Sequence, residues 1–321
     1  MSVLGPALRL LATLLHAGLM LALAPLLAGL IRSLQARLLG MRGPPVLQSY
    51  HDLRKLSGKA TLIPDNATDL VRVWPYAAFA ASVAAALLVP GFCTGMLTAG
   101  SSDFITLAGL FGIARAATIL AGLETGFGFG GAAASRQIMF GGLAAAALLL
   151  VMLIIVLAAR DPTIDGAAVA LRAAAPGLRL GLGFALAAAL AASLTGALTE
   201  TGLLPGEAPS ELAMRRQALL LEFSGRLLLL FEAAAMLRLL VLMSLFIAVF
   251  APFGMGSADA VLSWPAGLLC WLGKLALLAG GLAVVRAATA GLRVFRVPAV
   301  LGAAVLLGFL GVMFQFIAPR G

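Results

Sequence analysis

LTETGLLPGEAPSELAMRRQALLLEFSG (Leu198–Gly225) lies between two long apolar runs. It carries four carboxylates, Glu200, Glu207, Glu211 and Glu222, together with Arg215 and Arg216, and Arg226 follows directly. A charged hinge between greasy segments is costly unless it faces protein, water or the membrane surface. The stretch therefore reads as a charged loop over 200–226, joining two membrane helices and marking the first place to look for function.

The rest of the chain supports that reading. Of 321 residues, 62% are hydrophobic and only 11% charged, with a mean hydropathy of +1.08. Soluble domains are about 25% charged, so this is a polytopic membrane protein. Its net charge of +9 does not point to nucleic acid, because no aromatic residues interleave the basic ones. Cys93 and Cys270 lie far apart in or near apolar runs and read as small buried hydrophobes. His16 and His51 lack metal-ligand spacing, and no C-x-x-C or H-E-x-x-H occurs, so no metal, haem or cluster is expected in this chain.

Outward from the hinge, eight apolar stretches approach the roughly 20 residues that a bilayer crossing needs. They fall near 4–31, 72–98, 104–123, 138–159, 176–199, 227–251, 260–285 and 297–318. Continuous rather than alternating hydrophobicity predicts helices, not a barrel. The expectation is an all-α bundle of about eight transmembrane helices, one transmembrane domain over 1–321. The run from Val3 to Ile31 is too long for a signal-peptide core and reads as the first span.

Lys and Arg mark the odd-numbered loops. The first holds Arg32, Arg37, Arg42, Arg54, Lys55 and Lys59, the third Arg136, the fifth Arg215, Arg216 and Arg226, and the seventh Arg286, Arg293 and Arg296. The second and sixth hold none; the fourth holds Arg160 and Arg172. Odd loops are therefore expected on the cytoplasmic side of a bacterial or archaeal inner membrane, with both termini opposite. The first loop, 32–71, turns at Gly43-Pro44-Pro45. It then reads as an amphipathic helix in which Val46, Leu47, Tyr50, Leu53 and Leu56 share one side. Such a helix suits the membrane surface or a soluble partner equally. The glycine-dense third loop (Gly126, Gly128, Gly130, Gly131) is no nucleotide fingerprint, since no strand precedes it. Its glycines suit tight turns beside other helices.

Charges also fall in or at the ends of the spans: Arg115, Glu124, Glu200, Glu222, Glu232, Arg238 and Lys274. Glu222 and Arg226, four apart, are placed to pair on one helix face. Glu222 and Glu232, ten apart, would stand about 15 Å apart along a helix, a spacing that suits a relay with water between. The set reads as a polar axis for protons or coupling charge, against the plainer reading of structural ion pairs between helices.

These residues resemble the membrane subunit shared by complex I (its subunit 1) and the energy-converting group 4 [NiFe] hydrogenases of the formate hydrogenlyase and hydrogenase-4 type. The resemblance spans most of the chain. It rests on RGPPVLQSYHDLRKL (42–56), IPDNATDLVRVWPY (63–76), AGLETGFGFGGAAASRQ (121–137), ETG…P (200–205), LEFSGRLLLLFEAAAMLRLL (221–240) and GLRVFRVP (291–298). It implies an eight-helix subunit joining a hydrogenase arm to ion-pumping, antiporter-like membrane subunits. The implied partners are the hydrogenase large and small subunits and an iron–sulfur electron-transfer subunit. The NiFe centre and the iron–sulfur clusters would belong to those partners, with no cofactor in this chain. Glu200, Glu211, Glu222, Glu232 and Arg238 fall on the family pattern. The sequence departs at Leu203, where relatives have arginine, at Glu207, where they have aspartate, at Arg216-Gln217 in place of His-Glu, and at Arg286 in place of an acid.

On this reading Glu200, Glu222 and Glu232 carry protons, Arg226, Arg238 and Lys274 tune them, and Glu124 and Glu211 belong to the same pathway. Arg42, Asp52, Arg54, Lys55 and Glu207 are the expected docking residues. Two alternatives use the same residues: a quinone-site subunit of a complex I-type oxidoreductase, and a passive membrane anchor. A stand-alone secondary transporter lacks the internal inverted repeat it would need.

Overall fold

The computed structural model describes residues 4–63, 67–172, 219–288 and 297–317. The helices are α1 (Leu4–Leu38), α2 (Gln48–Ser57), α3 (Val73–Leu88), α4 (Phe104–Glu124), α5 (Gly128–Ala159), α6 (Ile164–Arg172), α7 (Gly225–Phe250), α8 (Trp264–Ala288) and α9 (Val297–Ile317). Strand structure among the described residues is confined to β1 (Cys93–Thr94) and β2 (Gly256–Ser257), which pair in parallel. The protein is an all-α, multi-pass membrane protein. Among the described residues, six helical segments are long and apolar enough to cross a bilayer: Gly5–Leu38, Asp69–Leu88, Phe104–Glu124, Gly128–Ala159, Gly225–Phe250 and Val261–Ala287. The span expected at 176–199 lies outside the described residues.

α7 is the central helix. Seventeen of its 26 residues are buried, and it packs on α1, α2, α3 and α6. α3 also packs on α4, α4 on α5, α5 on α9, and α1 on α8. Close helix approach in lipid depends on small residues, because tails are as apolar as leucine. Here Gly308 meets Leu150, and Gly311 meets Ile154, where α9 lies against α5. α1 contains Pro25, which removes one helical hydrogen bond. Three residues earlier, the Ala22 carbonyl accepts from the Tyr50 hydroxyl of α2. At Gly29 a side chain would strike the Val46 carbonyl, so this glycine admits the turn leading into α2. The amphipathic segment thus packs on α1 and α7, with Ser49 buried, Tyr50, Leu53 and Leu56 half-buried and Arg54 and Lys55 exposed.

Several expected boundaries shift. α1 runs to Leu38, so Arg32 and Arg37 are helical rather than in a loop. The second span stops at Leu88, not 98, and 89–103 forms a folded connection. α5 begins at Gly128, ten residues before the expected start, so Arg136 is helical and the third connection shrinks to Thr125–Phe127. Gly126 makes that turn at φ +70°. Arg286 lies in α8 and is fully buried, not in a seventh loop. α7 starts at Gly225, so Glu222 precedes the helix. The same-face pairing of Glu222 with Arg226, and the 15 Å helical spacing from Glu222 to Glu232, therefore do not hold.

The connections gather at two ends. At one, Arg9 pairs with Asp259 at 2.9 Å, the Leu97 amide donates to Thr13, β1 pairs with β2, and Asp103 bridges Thr163. At the other, the Leu62 amide donates to Ser224 at 2.8 Å, and Thr68 donates to Glu124.

Candidate coupling site

The charged end formed by the first connection, the α4–α5 turn and the approach to α7 is the candidate site. α4 ends at Glu124, whose half-buried carboxylate accepts from the Thr68 hydroxyl. Two residues before it, Gly122 faces Leu219, and a side chain at Gly122 would collide with that leucine. Leu219 and Leu220 lead into the turn holding half-buried Glu222. Glu124 and Glu222 thus sit at one end of the bundle, on either side of the Gly122–Leu219 contact. Phe223 then stacks edge-on against Phe231 at 5.2 Å. These rings join Val71, Ala78, Ala117, Ala121, Leu220 and Leu227 in an apolar cluster beneath the charged end.

From that end α7 carries charge into the bundle. Arg226 is exposed at its first turn, Glu232 is half-buried two turns on, and Arg238 is 5% exposed about 9 Å further along the axis. All three lie on the central helix. Asp52 accepts from Gln48 at 3.0 Å on α2, and Arg42, Arg54 and Lys55 are exposed. Glu200, Glu207 and Glu211 lie outside the described residues.

Lys274 does not join this group. It projects from α8 at the opposite end, where its ammonium donates to the Ala251 carbonyl at 2.7 Å and to the Phe253 carbonyl. It also lies 3.9 Å from the Phe253 ring centroid. A cation on the last carbonyls of a helix satisfies unpaired acceptors and opposes the helix dipole; Lys274 thus caps α7.

Sequence reasoning missed other polar contacts. Arg115 donates to the Gly141 carbonyl across the α4–α5 interface, where a side chain at Gly141 would meet Arg115 at 2.8 Å. Buried Asp165 accepts from the Gly95 amide at 3.2 Å, tying α6 to the β1 connection. Glycine within a span was the only available signal for the first contact. The Arg9–Asp259 pair, 250 residues apart, left none.

The described residues thus form a multi-pass membrane bundle whose central helix carries an acid and a buried arginine, with carboxylates gathered at one end. The family pattern of "NADH dehydrogenase" matches residues 10–317, and the chain belongs to that family. It is 31% identical to hydrogenase-4 component C of Escherichia coli over 243 residues, 74% of either chain. It is 39% identical to formate hydrogenlyase subunit 4 of the same organism over 128 residues, 40% of this chain and 42% of that one. Its fold matches a chain in the structure of the membrane-bound sulfane sulfur reductase, an archaeal respiratory membrane complex. That match has a TM-score of 0.76 at 18% identity and covers 95% of this chain and 99% of the other.

Proposed function

We propose that this chain is the membrane-anchoring and proton-coupling subunit of a membrane-bound [NiFe] hydrogenase complex, linking a soluble hydrogenase arm to ion-pumping membrane subunits. The observation that supports the reading is α7: the most enclosed of the described spans holds Glu232 and buried Arg238, with Glu222 at its mouth. Ionisable side chains at membrane depth are costly and mark pathways for charge. The relatives in hydrogenase-4 and formate hydrogenlyase supply the class of complex. In this reading the NiFe centre and iron–sulfur clusters sit in the hydrogenase subunits and an electron-transfer subunit. The end bearing Arg42, Asp52, Arg54, Lys55 and Glu124 faces the cytoplasm and docks that arm. The chain's own part is to hold and pass protons through Glu222 and Glu232, with Glu200 and Glu211 in the same pathway.

The test is Glu222→Gln in sealed vesicles containing the whole complex. Hydrogenase turnover is expected to persist while the proton gradient falls at least tenfold. An unaltered gradient would remove Glu222 from the pathway. A second reading, a passive anchor, draws on Arg286, a buried base at a position where the family resemblance implies an acid. It predicts no gradient even from the wild-type complex during turnover.

A further inference from the structure

We propose that a membrane-spanning helix of a neighbouring subunit packs on the outer face of α8, over the irregular backbone at Phe253–Gly254 and beside Lys274. Depth carries the argument. The exposed Arg9–Asp259 pair marks the aqueous end of α8. At the same end the indole of Trp264, the first residue of α8, donates to the Ser257 carbonyl. Tryptophan favours the membrane–water boundary. Cys270 stands six residues inward from Trp264, about 9 Å along the helix, and Lys274 ten residues inward, about 15 Å. The hydrocarbon core is about 30 Å thick, so Lys274 is near its middle. By a second measure, Lys274 lies thirteen residues from either end of the span Val261–Ala287.

Residues 251–254, which are not helical, run beside α8 at that depth. Lys274 donates to the Ala251 and Phe253 carbonyls, and a side chain at Gly254 would strike Cys270 Sγ. Phe253 is 66% exposed, and Gly254, which has only backbone to present, is exposed as well. Irregular backbone at membrane depth persists only where protein covers it or where it lines a water-filled cavity. The surroundings select protein. A water-filled cavity is lined by polar groups, whereas Leu269 and Leu277, 72% and 75% exposed, join Phe253 in making this face apolar. Leu269, Gly273 and Leu277 form one row along α8, next to the row of Cys270 and Lys274. Nothing lies within 4 Å of a Cβ built at Gly273, nor at Gly281 two turns on. Small residues let helix backbones approach closely in lipid. α8 is also the least enclosed of the described spans: 28% of its apolar stretch is buried, against 78% for α7. A helix laid along this row covers the Phe253–Gly254 backbone and withdraws Lys274 from lipid, where charge is costly. Its own contact face is apolar, with bulk that fits the open space at Gly273. The inference needs a membrane neighbour but not the coupling role proposed above.

The experiment uses the intact complex in native membranes, with the photoreactive residue benzoylphenylalanine installed at Leu269 or Leu277. The expected result is a cross-link from both positions to a membrane-spanning segment of a subunit that co-purifies one-to-one with this chain, identified by mass spectrometry. Cross-links only to lipid, to a second copy of this chain, or to residues 173–218 of the same chain would overturn the proposal. A second variant, Gly273→Leu, adds bulk where the chain itself leaves open space. It should reach the membrane and melt with the wild type, yet retain less than a tenth of that subunit through purification, while Gly273→Ala keeps it. Full retention by Gly273→Leu would also overturn the proposal. Neither measurement involves an ion gradient, so failure here leaves the coupling role untouched.

Discussion

Replacing Gly225 with alanine should loosen the junction at which α7 enters the bundle. Gly225 has φ +56°, in the left-handed region where L side chains are strained. That strain alone costs about 1–2 kcal/mol for alanine. The new Cβ would also stand 2.7 Å from the Ala60 carbonyl oxygen and 2.8 Å from that of Lys59. Both are backbone atoms, which cannot swing aside as the end of a long side chain can. Overpacking of this kind adds about 1–3 kcal/mol, for a total of about 2–5 kcal/mol. Thermal denaturation of the purified protein is the assay. In domains of 150–250 residues each kcal/mol moves Tm by about 2–4 °C, so a drop of about 4 °C or more is expected. Ser224→Ala, which removes only the hydroxyl bonded to the Leu62 amide, serves as control and should cost about 1 kcal/mol. If Gly225→Ala melts with the wild type, or above Ser224→Ala, then the 59–60 backbone does not constrain the start of α7, and the reasoning fails.

Three further outcomes are expected. The Asp259 carboxyl is held below the usual carboxylate range by its hydrogen bond and charge interaction with Arg9. Its small contribution to stability is thus complete above the ordinary carboxylate pKa of about 4 and is lost as pH falls through the lowered value; Arg9→Gln should flatten the pH dependence of Tm there. Lys274→Met should leave the Ala251 and Phe253 carbonyls short of a donor and cost about 1.5–3 kcal/mol, as loss of a charged hydrogen bond does, with partial recovery in Lys274→Arg. The Cys93 thiol, pushed up to about 12 by burial and by the nearby Asp165 charge, should resist alkylation at pH 8 until the protein is denatured, as mass spectrometry would report.

Hydropathy was enough to read most of the bundle, because a lipid-facing helix has to be apolar along its length. It located the helices that became α4, α7, α8 and α9 within a few residues, and the starts of α1 and α3. Charge misled at the boundaries. Arg136 and Arg286 read as loop markers in the sequence, yet Arg136 is exposed on α5 and Arg286 is enclosed in α8. An arginine reaches over 6 Å from its backbone, so its position along the chain does not fix where its charge lies. The candidate site was legible at α7, where Glu232 and Arg238 stand on the central helix. The helical pairing of Glu222 with Arg226 read from the spacing does not hold, since the left-handed Gly225 starts the helix three residues later. Lys274 lies within the span Val261–Ala287, and its capping contact was not legible because the helix end it caps comes from a different part of the chain.

The parallel pairing of β1 with β2 sets a timetable for biogenesis. Thr94 and Gly256, bonded across it, are 162 residues apart. At about 5–20 residues per second of synthesis, the first strand waits roughly 8–32 s after leaving the ribosome before its mate exists. Through that interval α1, α3, α4 and α5 have entered the membrane with one end unclosed. A chain truncated before Gly256 would leave the β1 edge unpaired at that end of the bundle.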